Sequence, residues 1–299
     1  MIIKLKAGLG NQMFQYAFAK LLQAEYGINN VLFDISYFDN KSIKQYLENG
    51  LDLLSVNYDI ASKKDLHEVN VLYNNFKPHH LLHRFFVALQ AIFNPKYYFE
   101  KKMLPKDVNS LLNYSYLDGY WQSWRYLEPI KSTLLNDFQP RRSLSELSKG
   151  YISRYQSMSS VMVGVRKGDY TKGKKAISKF GAPSLDYYET AIKIILEKVE
   201  KPVFVVFSDD IEWVKENLTL ETRPGLDIAV EYREKNKVNN DFEELFVMAS
   251  CKHAIISNST FNFWGAWLIR NPDKIVVAPK EWFKDNSPID IVPSTWIKI

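Results

Sequence analysis

The sequence predicts an α/β protein with two domains of similar size. The chain has 299 residues, a length that fits two cores better than one. Short apolar strands alternate with amphipathic helices at the start of the chain and regularly after residue 150, which is the pattern of parallel sheets with helices on both faces. A polar, turn-rich run from Asn136 to Gly150 marks the boundary. We therefore expect one domain over residues 1–150 and another over residues 151–299.

The first domain opens with a strand, a glycine-containing loop and a helix. The strand is predicted over Ile2–Lys6, and the helix over Met13–Tyr26, where apolar residues recur at helical spacing. Gly27 stands where a helix C-cap belongs. A second strand is predicted over Val31–Asp34, which completes the first strand–helix–strand unit of the α/β pattern.

The loop between this first strand and helix does not fit the common nucleotide-binding motifs. After Gly8 and Gly10, Met13 occupies the place of the third glycine of a dinucleotide fingerprint, and the loop lacks the Gly-Lys-Ser/Thr of a P-loop. The two amides that follow the glycines, Asn11 and Gln12, instead favour contacts with a neutral, hydroxyl-rich ligand.

The apolar stretch Leu81–Phe93 has two interpretations. As a helix of about four turns, it fits a buried element of the first domain. The alternative is a peripheral contact with a membrane surface, because His79, His80, His83 and Arg84 surround the phenylalanine-rich segment and an apolar face with a basic rim is typical of interfacial helices.

The second domain shows the α/β alternation most regularly. Strands are predicted over Val161–Val165, Val203–Phe207, Ile228–Tyr232, Ala254–Ile256 and Ile275–Ala278, with helices at about 185–199, 210–217, 239–250 and 261–269. In such sheets ligands bind at the carboxyl ends of the strands. The loops that follow the strands are therefore the candidate sites.

The loop after Val161–Val165 fits a phosphate site. Arg166 and Lys167 supply two adjacent cations, and Gly168 permits close approach of the backbone to a ligand. The alternative is an exposed turn in which Asp169 pairs with Arg166.

Two further loops combine capping residues with ligand chemistry. Ser257-Asn258-Ser259-Thr260 precedes a helix, where free backbone N–H groups and the helix dipole favour an anion. One N-cap needs only one such residue, so capping alone does not require the run of four. In Ser208-Asp209-Asp210 a carboxylate either caps a helix or accepts hydrogen bonds from a purine or ribose. The two carboxylates are adjacent rather than spaced as D-x-D, so the sequence predicts no required metal.

Composition narrows the class of protein. The net charge is +5, from 39 Lys and Arg against 34 Asp and Glu. Because the basic residues are scattered along the sequence, this charge disfavours a nucleic-acid-binding protein.

Cys251 is the single cysteine, so an internal disulfide or cysteine metal cluster is excluded and a reducing compartment is favoured. The start MIIKLKAGLGNQ lacks the features of a secretory signal, and no run of about 18 uncharged apolar residues occurs. We expect a cytoplasmic protein.

Several segments together resemble a known family. They are GLGNQMFQYAFAKLL at 8–22, LDGYWQS at 117–123, VRKGDY at 165–170, LDYYETAI at 185–192, FSDD at 207–210 and DFEELFVMASCKHAIISNSTFNFWGAWL at 241–268. In this order they are similar to bacterial α-1,2-fucosyltransferases, glycosyltransferase family eleven. The resemblance spans nearly the whole chain.

The resemblance implies a GT-B-like fold, with two Rossmann-like domains facing a cleft. It implies that the first domain lies on the acceptor side and that the second binds the nucleotide sugar. The implied reaction moves fucose from GDP-fucose, with inversion and without a metal or other cofactor, to the 2-hydroxyl of a galactoside. The implied partners are a GDP-sugar donor and a galactoside glycan or lipid-linked oligosaccharide of surface-polysaccharide synthesis, and no nucleic acid.

The resemblance also implies roles for individual residues. Arg166 would grip the diphosphate, with Lys167 beside it, and Asp209 would lie near the base or ribose. The contacts to phosphate and nucleoside would come from four residues at the loop and helix start that follow the strand Ala254–Ile256: Asn258, Ser259, Thr260 and Phe261.

On the acceptor side, the resemblance places Asn11 near the reacting sugar. Gly10 and Gln12 would lie beside it in the loop that faces the cleft. Asp169 is the leading candidate for the general base, and its alternative role is to orient Arg166.

The motif that begins at the end of the strand predicted over Val161–Val165 departs from the family pattern His-x-Arg-Arg-Gly-Asp-Tyr. Gly164 replaces the His and Lys167 the second Arg, while Ala7 stands where the family often has another glycine. Lys keeps the charge but loses the bidentate geometry of Arg, and loss of the imidazole should leave room near the donor. The alternatives are therefore a transferase that uses another nucleotide sugar, such as a galactosyl donor, and a non-catalytic sugar-binding relative.

Overall fold

The chain forms two compact units. The computed structural model describes residues 1–39, 49–69, 81–101, 107–166, 183–218, 228–233, 241–283 and 290–299. Unit 1 takes in Met1–Arg142 and Pro288–Pro293, and unit 2 takes in Ser143–Ser287 and Ser294–Ile299. Each unit contains its own parallel sheet, so the predicted α/β class is confirmed. The acceptor and donor roles of the two halves stay predictions.

Unit 1 is built on a five-stranded sheet. Its strands are β1 (Ile2–Lys4), β2 (Leu32–Asp34), β3 (Asp59–Ile60), β4 (Tyr97–Phe99) and β5 (Tyr116–Asp118). They lie in the order β3-β2-β1-β5-β4, and every neighbouring pair is parallel. The carboxyl ends of β1 and β5 therefore lie side by side, and open α/β sheets bind ligands at the carboxyl ends of their strands.

The helices of unit 1 are α1 (Leu9–Tyr26), α2 (Lys63–Glu68), α3 (Leu81–Phe93) and α4 (Lys131–Asp137). Short 3₁₀ turns lie at Ser36–Asp39, Gly50–Leu53, Val108–Leu111 and Trp124–Tyr126. As predicted, α1 ends at Gly27, which adopts a left-handed φ of 67°.

The predicted start of α1 is wrong, because the helix begins at Leu9 rather than at Met13. Gly10, Asn11 and Gln12 therefore lie in its first turn and not in a loop. Apolar periodicity does not reveal this turn, since Gln12 and also Gln15 are fully buried polar residues.

The helix α3 matches the predicted range, but only one of its sides is buried. Val87 and Gln90 are buried, whereas Phe85, Ile92 and Phe93 are exposed. Within the described part of the chain, no helix is both long and apolar enough to cross a membrane.

Unit 2 is built on a six-stranded parallel sheet. Its strands are β6 (Ser160–Val165), β7 (Val203–Ser208), β8 (Ala229–Arg233), β9 (His253–Ile255), β10 (Val276–Ala278) and β11 (Ile297–Lys298). The order is β11-β10-β9-β6-β7-β8. Read from β8, this is the 3-2-1-4-5-6 order of the Rossmann fold. The five predicted strands are confirmed to within one residue at either end, and β11 was not predicted.

The helices of unit 2 cover both faces of its sheet. They are α5 (Glu146–Gln156), α6 (Leu185–Lys198), α7 (Ile211–Asn217), α8 (Asp241–Ala249) and α9 (Thr260–Trp267). Because side chains alternate along a strand, Val161, Val163 and Val165 join the apolar cluster formed with α6 and α7. The other face of β6 meets α9, where a Cβ on Gly265 would be 3.2 Å from Met162 Cε.

Candidate functional site

The switch point of the unit 2 sheet brings two of the predicted donor loops together. It lies between β6 and β9, which pair directly with Val163 opposite Ile255. Arg166 follows the carboxyl end of β6, and Ser257–Thr260 follows β9 and leads into α9. The topology therefore places a guanidinium and a helix N-terminus at neighbouring strand ends, the usual location of a phosphate in this fold.

The run Ser257–Thr260 does more than cap α9. Ser259 occupies the N-cap position without making a side-chain cap bond, and Ser257 is fully buried. The amide of Asn258 donates to the carbonyl of Trp282 at 3.0 Å, which anchors the loop. The N–H groups of the first helical turn have no acceptor within the helix. Thr260 and Phe261 are half-buried beside them, and the binding of an anion here stays a prediction.

The expectation of free space at Gly164 is wrong. A Cβ on Gly164 would lie 2.3 Å from Nδ2 and 2.6 Å from Cγ of Asn262 in α9. Asn262 is buried, and its Nδ2 donates to Ser257 Oγ at 2.7 Å. The side chain of Asn262 thus fills the space beside Gly164 and holds Ser257 of the β9–α9 loop.

Two tyrosines of α6 hold the same strand ends from the other face of the sheet. Tyr187 Oη donates to the carbonyls of Ile256 at 2.6 Å and Val277 at 3.2 Å. Tyr188 Oη donates to the carbonyl of Gly164 at 3.3 Å. The LDYY motif therefore positions the ends of β6, β9 and β10, from which the candidate site is built.

The two carboxylates of the loop after β7 lie in different environments. Asp210 caps α7, because its carboxylate accepts from Trp213 N at 3.1 Å. Asp209 is exposed at the carboxyl edge of the sheet, and its contact with a base or ribose stays a prediction. Lys167 and Asp169 lie outside the described residues, so their roles as diphosphate ligand and general base stay predictions too.

In unit 1, amides of α1 tie together the loops beside the carboxyl ends of β1 and β5. Asn11 Oδ1 accepts from Gln122 Nε2 at 2.7 Å. Gln12 donates to the carbonyl of Ala7 at 2.8 Å and accepts from Gly50 N at 2.9 Å. The geometry thus assigns the Gln12 amide to holding the loop. The acceptor-side roles of Gly10 and Gln12, and the position of Asn11 near the sugar, stay predictions.

Ala7 has a left-handed backbone, with φ of 66°. Glycine adopts this conformation without the steric cost that a Cβ imposes. The preference of the family for glycine at this position therefore has a conformational reason, and the carbonyl bond from Gln12 helps to hold Ala7 in place.

An ion pair lies at the carboxyl ends of β1 and β5. The Lys6 ammonium, which follows β1, contacts the buried carboxylate of Asp118 at the end of β5, and Lys4 approaches it at 3.6 Å. Burial alone would raise the pKa of Asp118, but the two ammonium groups hold it well below its usual value. The pKa of Lys6, which burial would lower, is raised by the charge of Asp118. Both groups are therefore ionised at neutral pH.

A second carboxylate, Glu100, shapes the adjacent loop. It accepts from Tyr120 N at 2.5 Å and from Trp121 N at 3.3 Å, and burial raises its pKa. Trp121 has a φ of 56°, and a Cβ on Gly119 would lie 2.7 Å from its ring. The LDGYWQS motif is therefore a tightly folded loop that requires glycine beside the tryptophan.

The comparison with protein families decides the identity. The model of glycosyl transferase family 11 matches residues 1–299. The chain belongs to glycosyl transferase family 11. The resemblance inferred from the motifs is confirmed, and the protein is a glycosyltransferase.

Two relatives of this family 11 protein align with it over nearly their full length. The O-antigen biosynthesis glycosyltransferase WbnK of Escherichia coli is 29% identical over 99% of each chain. An alpha-1,2-colitosyltransferase of Escherichia coli is 30% identical over 100% of this chain and 98% of its own. The Mus musculus galactoside 2-alpha-L-fucosyltransferase Sec1 is 26% identical over 60% of this chain and 48% of its own.

A solved structure shows the same fold as the family 11 chain. A mutant of Arabidopsis thaliana FUT1, in complex with GDP, aligns with a TM-score of 0.50 and 12% identity, over 93% of this chain and 70% of that one. The predicted GT-B fold class, with two Rossmann-like units, is confirmed.

The residues that support the site are not evident from the sequence of this family 11 protein. Asn262, Tyr187 and Tyr188 lie within quoted motifs, but their partners are on other elements. The sequence does contain a signal for Asn262, because α/β packing puts every second residue of β6 against a helix and a glycine there permits close approach.

Among the described residues, no group of three or more His, Cys, Asp or Glu side chains is placed to hold a metal ion.

Proposed function

We propose that the protein transfers fucose from GDP-fucose to the 2-hydroxyl of a galactoside during synthesis of a surface polysaccharide. The observation that carries the proposal is the position of Arg166 and the amino end of α9 at neighbouring strand ends of the unit 2 switch point. A diphosphate carries the charge and the oxygen acceptors that suit both groups.

The proposed reaction is a direct displacement with inversion. The acceptor oxygen forms a bond to the anomeric carbon as the bond from that carbon to the diphosphate oxygen breaks, and GDP leaves with the electron pair. Arg166 and the first-turn amides of α9 stabilise the charge that develops on the diphosphate. The hydroxyl proton passes to a base, for which Asp169 is the proposed residue. Since guanidinium and amides supply the stabilisation, the proposal includes no metal.

The names of the relatives support the coarser features of this proposal. The O-antigen role of WbnK agrees with a polysaccharide product, and the galactoside 2-fucosyltransferase Sec1 agrees with a galactoside acceptor. The full-length relationship to an alpha-1,2-colitosyltransferase favours a second candidate, in which the transferred sugar is colitose. In both candidates, Arg166 and the amino end of α9 bind the diphosphate of the donor.

The mechanism predicts that Arg166→Ala lowers turnover by more than about a hundredfold, the usual effect of removing a group that stabilises developing charge. Arg166→Lys should recover part of the rate, because it keeps the charge but not the planar fork. Lys193→Ala is the matched control, since it removes an exposed cation of the same unit from α6. Near wild-type turnover of Arg166→Ala would contradict the mechanism.

A donor panel tests the proposed substrate. GDP-fucose, GDP-colitose and UDP-galactose are each incubated with a β-galactoside acceptor, with and without EDTA, and the product linkage is determined. We expect a 1,2-linked product from GDP-fucose that is insensitive to EDTA. A product from GDP-colitose alone supports the second candidate, and a UDP-galactose product contradicts both. Binding without transfer or hydrolysis identifies a non-catalytic sugar-binding protein.

A further inference from the structure

One side of α3 presents apolar side chains to solvent. Phe85 is 56% exposed, Ile92 73% and Phe93 75%. These three residues, here called the outer stripe, are spaced seven and eight apart and therefore share one side of the helix. Val87 and Gln90 face the opposite way and are buried. Packing within unit 1 thus accounts for the inner side of α3 and leaves the outer stripe unexplained.

The stretch of sequence that contains α3 is rich in cations and poor in acids. Residues 70–106 contain six Lys or Arg and a single acid, Glu100, so this segment alone carries a formal charge of +5, equal to that of the whole chain. No Asp or Glu occurs between Val69 and Phe99. Among the described cations of the segment, Lys96 and Lys101 are exposed.

We propose that α3 docks the protein on an anionic lipid surface. The outer stripe would enter the boundary between headgroups and acyl chains, while Lys96 and Lys101 meet lipid phosphates. Exposed apolar area and cationic charge together determine the binding of interfacial helices. A lipid leaflet offers apolar depth beneath a uniform negative charge, which complements a helix with exposed aromatics in an acid-free segment. The inference does not depend on which sugar is transferred.

Vesicle flotation of the full chain tests the proposal. We expect binding to vesicles of 30% phosphatidylglycerol in phosphatidylcholine, much weaker binding to phosphatidylcholine alone, and at least tenfold weaker partitioning when NaCl is raised from 50 mM to 500 mM. The variant Phe85→Gln/Ile92→Gln/Phe93→Gln should partition at least tenfold less than the wild type. Glutamine is a good helix former, and circular dichroism melting checks that the fold is kept.

Leu147→Gln is the matched control, because Leu147 is an apolar residue of unit 2 that is 44% exposed. It should change partitioning by less than twofold. The proposal is overturned if the wild-type chain does not float with anionic vesicles, or if the triple variant floats equally well. It is also overturned if the wild-type chain is a dimer and the triple variant a monomer by light scattering while neither binds vesicles, because the stripe is then an interface between copies.

Discussion

At the scale of the residue, Gly164 and Asn262 form a matched pair whose substitutions should be coupled. Gly164→Ala places a methyl group against the Asn262 amide, and we expect it to lower the free energy of unfolding by about 1–3 kcal/mol. Asn262→Ala removes the donor to Ser257 Oγ, at a cost of about 1–2 kcal/mol. In the double variant the methyl enters the vacated space, so the combined loss should be smaller than the sum by about 1 kcal/mol. Urea unfolding of the four proteins measures the cycle.

Gly150→Ala is the control for this cycle, because a Cβ at Gly150 in α5 meets no atom within 4 Å. It should be neutral or slightly stabilising and should add independently to Asn262→Ala. Strict additivity of Gly164→Ala and Asn262→Ala would show that the close contact has no energetic consequence. Because Asn262 holds the β9–α9 loop, both single variants should also raise the KM for the nucleotide sugar more than they change kcat.

The predictability of single residues depends on whether their role is local. Arg166 and Ser257–Thr260 could be predicted because a strand end followed by cations or hydroxyls is visible in the sequence itself. The contacts from Asn262 to Gly164 and from Lys6 to Asp118 join residues about a hundred positions apart. A single sequence does not show which residues of facing elements meet, so these contacts required the structure.

At the scale of the element, the two ends of α9 differ. Its amino end is the proposed anion site, and its carboxyl end is capped by Lys274. The Lys274 ammonium donates to the carbonyls of Ala266 at 2.9 Å, Trp267 at 2.8 Å and Ile269 at 3.0 Å. A cation is favourable there because the helix dipole and the unpaired carbonyls are both negative.

Lys274→Met tests this cap. It keeps most of the aliphatic chain and removes the three charge-assisted bonds, so we expect a loss of about 2 kcal/mol in the free energy of unfolding. Thermal and urea unfolding measure the loss. Lys280→Met, at an exposed position after β10, should leave stability within about 0.5 kcal/mol. If the two substitutions change the free energy of unfolding equally, the three hydrogen bonds from Lys274 do not stabilise the fold.

The sequence predicted elements best where periodicity and burial agree. The strands β6, β7 and β10 of unit 2 are largely apolar runs, typical of strands buried on both faces, and their predicted bounds agree to within one residue. The start of α1 was missed because its first turns bury glutamines, and β11 because two residues carry too little pattern to indicate a strand. Hydrophobic periodicity does not detect buried polar residues or strands that are only two residues long.

At the scale of the whole molecule, the chain does not simply pass from one unit to the other. The sequence predicts a single boundary, whereas Pro288–Pro293 belongs to unit 1 and the residues on either side of it belong to unit 2. The polar composition near residue 142 is visible in the sequence. The membership of Pro288–Pro293 in unit 1 instead depends on contacts with residues far away in the sequence. No compositional change marks it.

Asp290 is the residue that ties this returning segment to unit 1. Its carboxylate accepts from Ser123 Oγ at 2.6 Å and from Arg125 Nε at 3.0 Å, and its carbonyl accepts from Trp124 N at 2.9 Å. Asp290→Ala removes the side-chain bonds, so we expect faster amide exchange over Ser123–Leu127, equivalent to about 1–2 kcal/mol. Exchange at Val276–Ala278 in unit 2 should be unchanged, as should exchange in both segments of the control Glu128→Ala, which removes an exposed carboxylate of the next turn. If Asp290→Ala instead accelerates exchange equally in both units, the segment supports the molecule as a whole rather than unit 1.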